Sequence, residues 1–276
     1  MFTHPEPALE HPVSQLCTQG QVDSLAYRRW CQAMGEPPRY HRKQWEFCYI
    51  LEALAEAGML TDGARGLGFG VGQEPLSAIF AARGCQVLAT DAPEDSGTAA
   101  VWGESRQHAG AGARLNARGL CDSELFAQRV RYRPVDMNAL PGDLGMFDFV
   151  WSSCALEHLG TLDQGIQFLW RSLECLRPGG LAVHTTEFNI SSDDETLASG
   201  GTVLYRRRDV LALSEQLLAA GHEIVLNLNN GGLPVDHHID GPPFQGNHLK
   251  LWTAGFVATS LGLIVRKGTD PQREAQ

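Results

Sequence analysis

The sequence predicts an α/β protein built on one doubly wound, mostly parallel sheet with helices on both faces. Three observations carry this reading. Short apolar strands alternate with helical stretches from about residue 60 onward. A glycine-rich stretch, ARGLGFGVGQEPL over 64–76, stands between the first of these strands and a helix. The 276 residues are 43% hydrophobic, enough for one sizeable core with elaborations. Strands in alternation with helices need crossover connections, and crossovers give a parallel sheet covered on both sides.

Taken in order, residues 1–20 are rich in proline and polar residues and read as irregular. Over 41–58, Trp45, Cys48, Tyr49, Leu51, Leu54 and Ala55 recur at helical spacing, and Gly58 stops the run. The glycine stretch follows. EPLSAIFAARG (74–84) is a short helix with Pro75 in its first turn, and CQVLATD (85–91) is a strand ending in an acid. Residues 92–128 carry little periodicity and read as an insertion. RVRYRPVD (129–136) and MFDFVWSS (146–153) are strands, and residues 162–180 form an amphipathic helix closed by a proline–glycine stop. A strand at 181–189, a helix at 207–221, and strands at 222–229 and 259–267 complete the pattern, with a polar insert between the last two.

The formal net charge is -10, which disfavours a nucleic-acid backbone or an anionic membrane as the main partner. Seven cysteines, an odd number with no C-x-x-C pair, argue for reduced thiols rather than a disulfide framework or a cysteine zinc site. No basic start precedes an apolar run, and no stretch suits a membrane span. The expectation is a soluble, cytoplasmic protein.

Gly66, Gly68, Gly70 and Gly72 fall at every second position. Glycine there permits a sharp turn after the strand and lets a ligand approach the backbone. A dinucleotide loop of the form G-x-G-x-x-G/A does not fit. Counted from Gly66 its last position is Val71, and from Gly68 it is Gln73. The spacing Gly68-x-Gly70-x-Gly72 instead resembles the first motif of the class I S-adenosylmethionine-dependent methyltransferases. Further elements follow in the family's order: the strand ending in Asp91, the turn VDMNALP, the strand and turn FDFVWSSCALEHLG, and LRPGGLAVHTT. The resemblance implies a Rossmann-like seven-stranded sheet with an antiparallel last strand, and S-adenosylmethionine as cofactor. It implies that Gly68, Phe69, Gly70 and Gly72 form the cofactor loop. Asp91 would hold the ribose hydroxyls, Asp136 and Met137 the adenine, and Ser153 and Cys154 would line the methionine portion. One departure stands out: where the family has an acid two positions before the first glycine, this chain has Gly66, and Glu74 is the substitute within reach.

Methyl transfer requires an aligned nucleophile and, for a hydroxyl, a proton acceptor. Such groups belong after the strands or in the inserts. His158 and Glu187 are the catalytic candidates beside the fourth and fifth strands, against the plainer readings of a structural histidine and a strand-end carboxylate. The insert VDHHIDGPPFQGNHLK gathers Asp236, His237, His238, Asp240 and His248. Adjacent histidines in extended chain face opposite sides, so a metal site is not expected. The insert reads as a substrate-facing lid, with His237 as a base and His238 as a substrate contact. Trp45 and Trp102 are the remaining candidate substrate contacts.

The expected organisation is a helical cap over 1–60, a methyltransferase-like domain over 61–268 with inserts at 92–128 and 230–252, and a tail over 269–276. The expected function is methyl transfer from S-adenosylmethionine to a small polar molecule or sugar. The alternative is an enzyme that uses the same cofactor without transferring methyl, as an intramolecular cyclase or lyase giving methylthioadenosine. The expected partner is a small-molecule substrate, with no nucleic acid and no membrane.

Overall fold

A computed structural model of the chain describes residues 5–93 and 114–269. Among them, one mixed sheet of ten strands organises the molecule. In chain order the strands are β1 (Ser14–Leu16), β2 (Arg65–Phe69), β3 (Gln86–Asp91), β4 (Val130–Pro134), β5 (Phe147–Ser153), β6 (Leu176–Asn189), β7 (Leu226–Asn227), β8 (Ile239–Asp240), β9 (Lys250–Thr253) and β10 (Phe256–Arg266). The main path runs β4-β3-β2-β5-β6-β10-β1-β7, with β9 added beside β10 and β8 beside β9. Strands β4, β3, β2, β5 and β6 are mutually parallel. The long β10 runs antiparallel to β6. The α/β class and the antiparallel last strand are thus as expected.

Seven helices flank the sheet among the described residues: α1 (Gln19–Val22), α2 (Leu25–Ala33), α3 (Arg42–Glu56), α4 (Leu76–Ala82), α5 (Ser123–Arg129), α6 (Leu162–Glu174) and α7 (Arg207–Ala219). Alternation along β5 sorts the core into two layers. Phe149 and Trp151 join Trp30, Tyr49 and Phe80 on the face covered by α2, α3 and α4. Val150 joins Phe168, Leu169, Val210 and Leu217 on the face covered by α6 and α7. Both faces are therefore buried, which is why β5 reads as a nearly continuous apolar run.

The N-terminal segment departs from the irregular chain expected over 1–20. Ser14–Leu16 enters the sheet antiparallel to β10 and parallel to β7. Three residues are too short to show a strand period. The sixth expected strand, 222–229, is reduced to Leu226–Asn227, which pairs with β1 while β1 takes the place beside β10.

The alternate glycines divide into two pairs with different tasks. A Cβ on Gly66 would meet the Phe149 ring at 2.4 Å, and one on Gly68 would meet the Trp151 ring at 2.3 Å. These two glycines make room for large rings on the neighbouring strand, in register Gly66↔Phe149 and Gly68↔Trp151. Gly70 and Gly72 instead take φ of 58° and 48°, the left-handed region that makes the turn out of β2.

Candidate active site

The carboxyl ends of β2, β3, β4 and β5 open into a cavity of about 370 Å³. Its floor comes from the turns that follow these strands. Gly70 and Gly72 arrive from β2, Asp91 from β3, Asp136 and Met137 from β4, and Ser153 and Cys154 from β5. Each turn has a local cause. Thr90 Oγ1 donates to the Gly68 carbonyl at 2.7 Å, and Val71 N donates to the Thr90 carbonyl at 3.1 Å, which ties the glycine turn to the end of β3. Asp91 Oδ1 accepts from Ala92 N at 2.9 Å, and Asp136 Oδ1 accepts from Asn138 N at 2.8 Å. Cys154 takes φ of 48°, held by its N–H to Thr185 Oγ1 at 3.0 Å. Burial pushes the Cys154 thiol well above its ordinary range, so it is a packing group rather than a nucleophile.

Gly68 and Phe69 lie behind this wall. Phe69 is fully buried and meets Phe168 edge-on, with centroids 5.0 Å apart. Both support the loop from the core.

The roof is the N-terminal part of α3 with the residues just before it. Glu36, Arg39, His41, Lys43, Gln44 and Phe47 line the cavity there. Arg118 and Arg39 both pair with Glu36, Arg39 at 2.8 Å, and close one side. Beneath Lys43 sits a buried ionic cluster. Glu46 is fully buried and accepts from Lys43 Nζ at 3.0 Å, Ser153 Oγ at 3.2 Å and Ser260 Oγ at 2.6 Å, with Arg42 Nη1 at 3.4 Å. Burial alone would raise its pKa. Lys43 and Arg42 outweigh burial and bring the Glu46 carboxyl down to about 2. This cluster joins the roof helix to β5 and β10 under the cavity. The sequence carried a trace of it, since Arg42 and Lys43 stand at i,i+4 and i,i+3 from Glu46.

Glu74, just past the glycine turn, also lines the cavity and is 7% exposed. Its Oε1 accepts from Trp151 Nε1 at 2.6 Å. Burial raises this carboxyl to about 8. The Phe149 ring fills the place that an acid at position 66 would need, and Glu74 puts a carboxyl just past the glycine turn instead.

His158 reaches the cavity from the turn Leu156–His158, and its Nδ1 donates to the Gly201 carbonyl at 2.7 Å. The other expected contacts are placed elsewhere. Glu187 pairs with Arg42 below the cavity wall, so its carboxylate is committed to an ion pair rather than to a substrate. Trp45 is fully buried, donates to Gln21 Oε1 at 2.8 Å and stacks on Tyr49 at 4.8 Å; its large apolar ring turns inward and the polar start of α3 faces the cavity. His237 and His238 are exposed and do not line the cavity. Their turn is held against the N-terminal segment instead, because Asp236 Oδ1 accepts from Gln19 N at 2.7 Å and Val235 N donates to Gln19 Oε1 at 2.7 Å. Trp102 lies outside the described residues. His41 is a residue of the cavity wall that sequence reasoning passed over. Among the described residues no group of three or more His, Cys, Asp or Glu could hold a metal ion.

Residues 67–184 match the family model described as "Methyltransferase domain". This segment is similar to a methyltransferase domain. It spans the glycine turn, the ends of β3, β4 and β5, and most of β6, the same elements on which the resemblance to S-adenosylmethionine-dependent methyltransferases rests. A curated relative, malonyl-[acyl-carrier protein] O-methyltransferase of Enterobacter lignolyticus, is 29% identical over 123 residues, covering 45% of this chain and 39% of its own length. The chain thus matches well under half of that relative. A solved structure from Galdieria sulphuraria, named for sarcosine dimethylglycine methyltransferase activity, superposes with a TM-score of 0.51 at 16% identity, covering 89% of this chain and 99% of that one. At that identity the likeness establishes the fold. Among the described residues no helix is long and apolar enough to cross a membrane.

Proposed function

We propose that the chain binds S-adenosylmethionine in this cavity and catalyses transfer of its methyl group to a small polar molecule. The observation that carries the reading is the meeting of the Gly70–Gly72 turn, Asp91, Asp136 with Met137, and Ser153 with Cys154 in one cavity at the strand ends. The residue types suit the parts of such a ligand. A carboxylate at Asp91 accepts from two vicinal hydroxyls, and Met137 offers a polarizable apolar face to a base. The turn at Gly70 leaves backbone open to a ligand. An added Cβ there would come within 3.0 Å of Ala155 Cβ, so the turn is already close-packed from below. Glu74 offers a buried carboxyl suited to an ammonium group.

S-adenosylmethionine, when bound, supplies an electrophilic methyl group. The chain's own residues orient it and exclude water. The α3 roof closes the cavity from above, and the Glu46 cluster fixes that roof to the floor. His158 is the candidate proton acceptor: with Nδ1 donating to the Gly201 carbonyl, Nε2 is the accepting nitrogen of the neutral ring. A cavity of this size lies within the range for small-molecule sites.

The test is calorimetry on the full chain with S-adenosylmethionine, S-adenosylhomocysteine and NAD, followed by product analysis. Binding of the first two and not NAD, with S-adenosylhomocysteine formed in the presence of an acceptor, is the expected result. NAD binding, or failure of both sulfur ligands to bind, overturns the reading. Methylthioadenosine as the product would mean that the cofactor is cleaved without methyl transfer.

A further inference from the structure

The histidine insert packs, through His248, against a residue of the cavity wall, His41. His248 N donates to the Tyr40 carbonyl at 2.7 Å, and Arg42 N donates to the His248 carbonyl at 2.9 Å. These two bonds lay the insert alongside the entry to α3 and set the His248 ring 4.7 Å from the His41 ring, tilted by 30°. His248 is itself held: its Nδ1 pairs with the buried Asp240 Oδ2 at 2.7 Å, and Phe244 meets its ring edge-on at 5.2 Å. His41 lines the cavity.

His41 also caps α3. Its Nδ1 accepts from Lys43 N at 3.1 Å. A nitrogen that accepts must be unprotonated, so the ring proton of neutral His41 sits on Nε2. The surroundings keep the ring neutral. Burial first, then the charges of His248, Arg39 and Arg42, push it down to about 4, against a smaller opposing effect of Glu46. The positive end of the helix at Lys43 acts in the same direction. The result is an imidazole locked in one tautomer. It presents an N–H and has no second nitrogen left to accept a proton.

We propose that His41 is a specificity-determining hydrogen-bond donor whose Nε2–H binds a carboxylate oxygen in the cavity, with His248 and Asp240 as its positioning residues. The proposal rests on the methyltransferase reading of the cavity and deepens it, because it names a carboxylate as the group recognised. An ammonium or amine donor would meet an N–H instead of an acceptor at this point of the wall, and Arg39 and Lys43 beside it disfavour a cation further. Two ligands can bring a carboxylate here: the cofactor, through its amino-acid end, and the methyl acceptor.

The test uses the full chain, the His41→Asp and His41→Ala variants, and three probes. S-adenosylhomocysteine carries the amino-acid end, methylthioadenosine lacks it, and malonate is a free dicarboxylate. Aspartate is a good helix cap, so His41→Asp keeps α3 closed while removing the donor and adding a like charge. If the cofactor brings the carboxylate, both variants lose S-adenosylhomocysteine affinity on the order of tenfold to a hundredfold and keep that for methylthioadenosine. If the acceptor brings it, both nucleoside ligands bind unchanged, and malonate shifts the His41 Nε2–H resonance of histidine-labelled wild type and binds neither variant. Nitrogen shifts of His41 should report the Nε2–H tautomer and a ring neutral down to about pH 4. His248→Phe, which keeps a ring in place and removes the charge, should move that titration upward, a shift that lost packing alone would not produce. The proposal is overturned if Nδ1 carries the proton. It is equally overturned if all three probes bind both variants as they bind wild type. Should neither nucleoside ligand bind wild type, the cofactor reading falls, and the malonate and tautomer measurements on the free chain still judge His41.

Discussion

Glu74 offers the most direct measurement of what the cavity costs the fold. The carboxyl is 7% exposed, and its surroundings provide one good donor, Trp151 Nε1 at 2.6 Å. Burial raises it to about 8, against an ordinary value of 4.5. The sign follows from linkage. Below pH 4.5 both folded and unfolded chains carry the proton, and the group costs nothing. Between 4.5 and 8 the unfolded chain releases its proton while the folded chain retains it, so stability falls as pH rises, at about 1.4 kcal/mol per pH unit. Above 8 the loss levels off at about 5 kcal/mol; near pH 7 it is about 3 kcal/mol. Glu74→Gln keeps an oxygen for Trp151 and cannot ionise. Urea unfolding of wild type and variant across pH 4.5 to 8.5 should give a stability difference near zero at the acid end that grows in the variant's favour to a plateau above 8. Other titrating groups cancel in that difference. Parallel stability curves for the two proteins would refute the reasoning. The same variant should bind S-adenosylhomocysteine more weakly, since the bound ammonium favours the ionised carboxyl. Calorimetry near pH 7 in buffers of different ionisation enthalpy should show proton release on binding in wild type and none in Glu74→Gln.

Other expectations follow from single contacts. Gly70→Leu forces a side chain into a left-handed turn against Ala155 and Met137, and should abolish binding of S-adenosylhomocysteine by calorimetry while the chain stays folded by circular dichroism. Asp91→Ala should weaken that ligand on the order of tenfold to a hundredfold if the carboxylate holds two hydroxyls, and unchanged affinity would reduce Asp91 to a turn residue. Glu46→Gln leaves Arg42 and Lys43 short of a buried counter-charge and should lower unfolding stability by about 3–5 kcal/mol in denaturant titrations at neutral pH. Because the Glu46 carboxyl sits at about 2 when folded, its contribution is present above pH 4.5 and fades as pH falls toward 2. Trp45→Ala should destabilise by about 3–5 kcal/mol through the emptied core, as any fully buried tryptophan would. A selective loss of ligand affinity with stability intact would restore Trp45 as a substrate contact.

The sequence by itself determined the layered fold and the floor of the cavity. Strand and helix periods are local, so β2 to β6 and the helices between them were legible from spacing alone. In a parallel sheet the turns that follow the strands converge at one edge, which brought Asp91, Asp136, Ser153 and Cys154 into one cavity once the strands were in order. The glycine run was legible only in part. Its second pair turns the chain, but the room that Gly66 and Gly68 leave for Phe149 and Trp151 depends on cross-strand register. Only the tertiary structure decided the roof. Which face of α3 points into the cavity depends on how it packs on β6 and β10. That packing buries Trp45 and exposes the polar start of the helix at His41 and Lys43. The meeting of His41 with His248, and the placing of Ser14–Leu16 inside the sheet, join residues more than two hundred positions apart. No local period encodes such contacts, because they form only when the whole sheet closes around them.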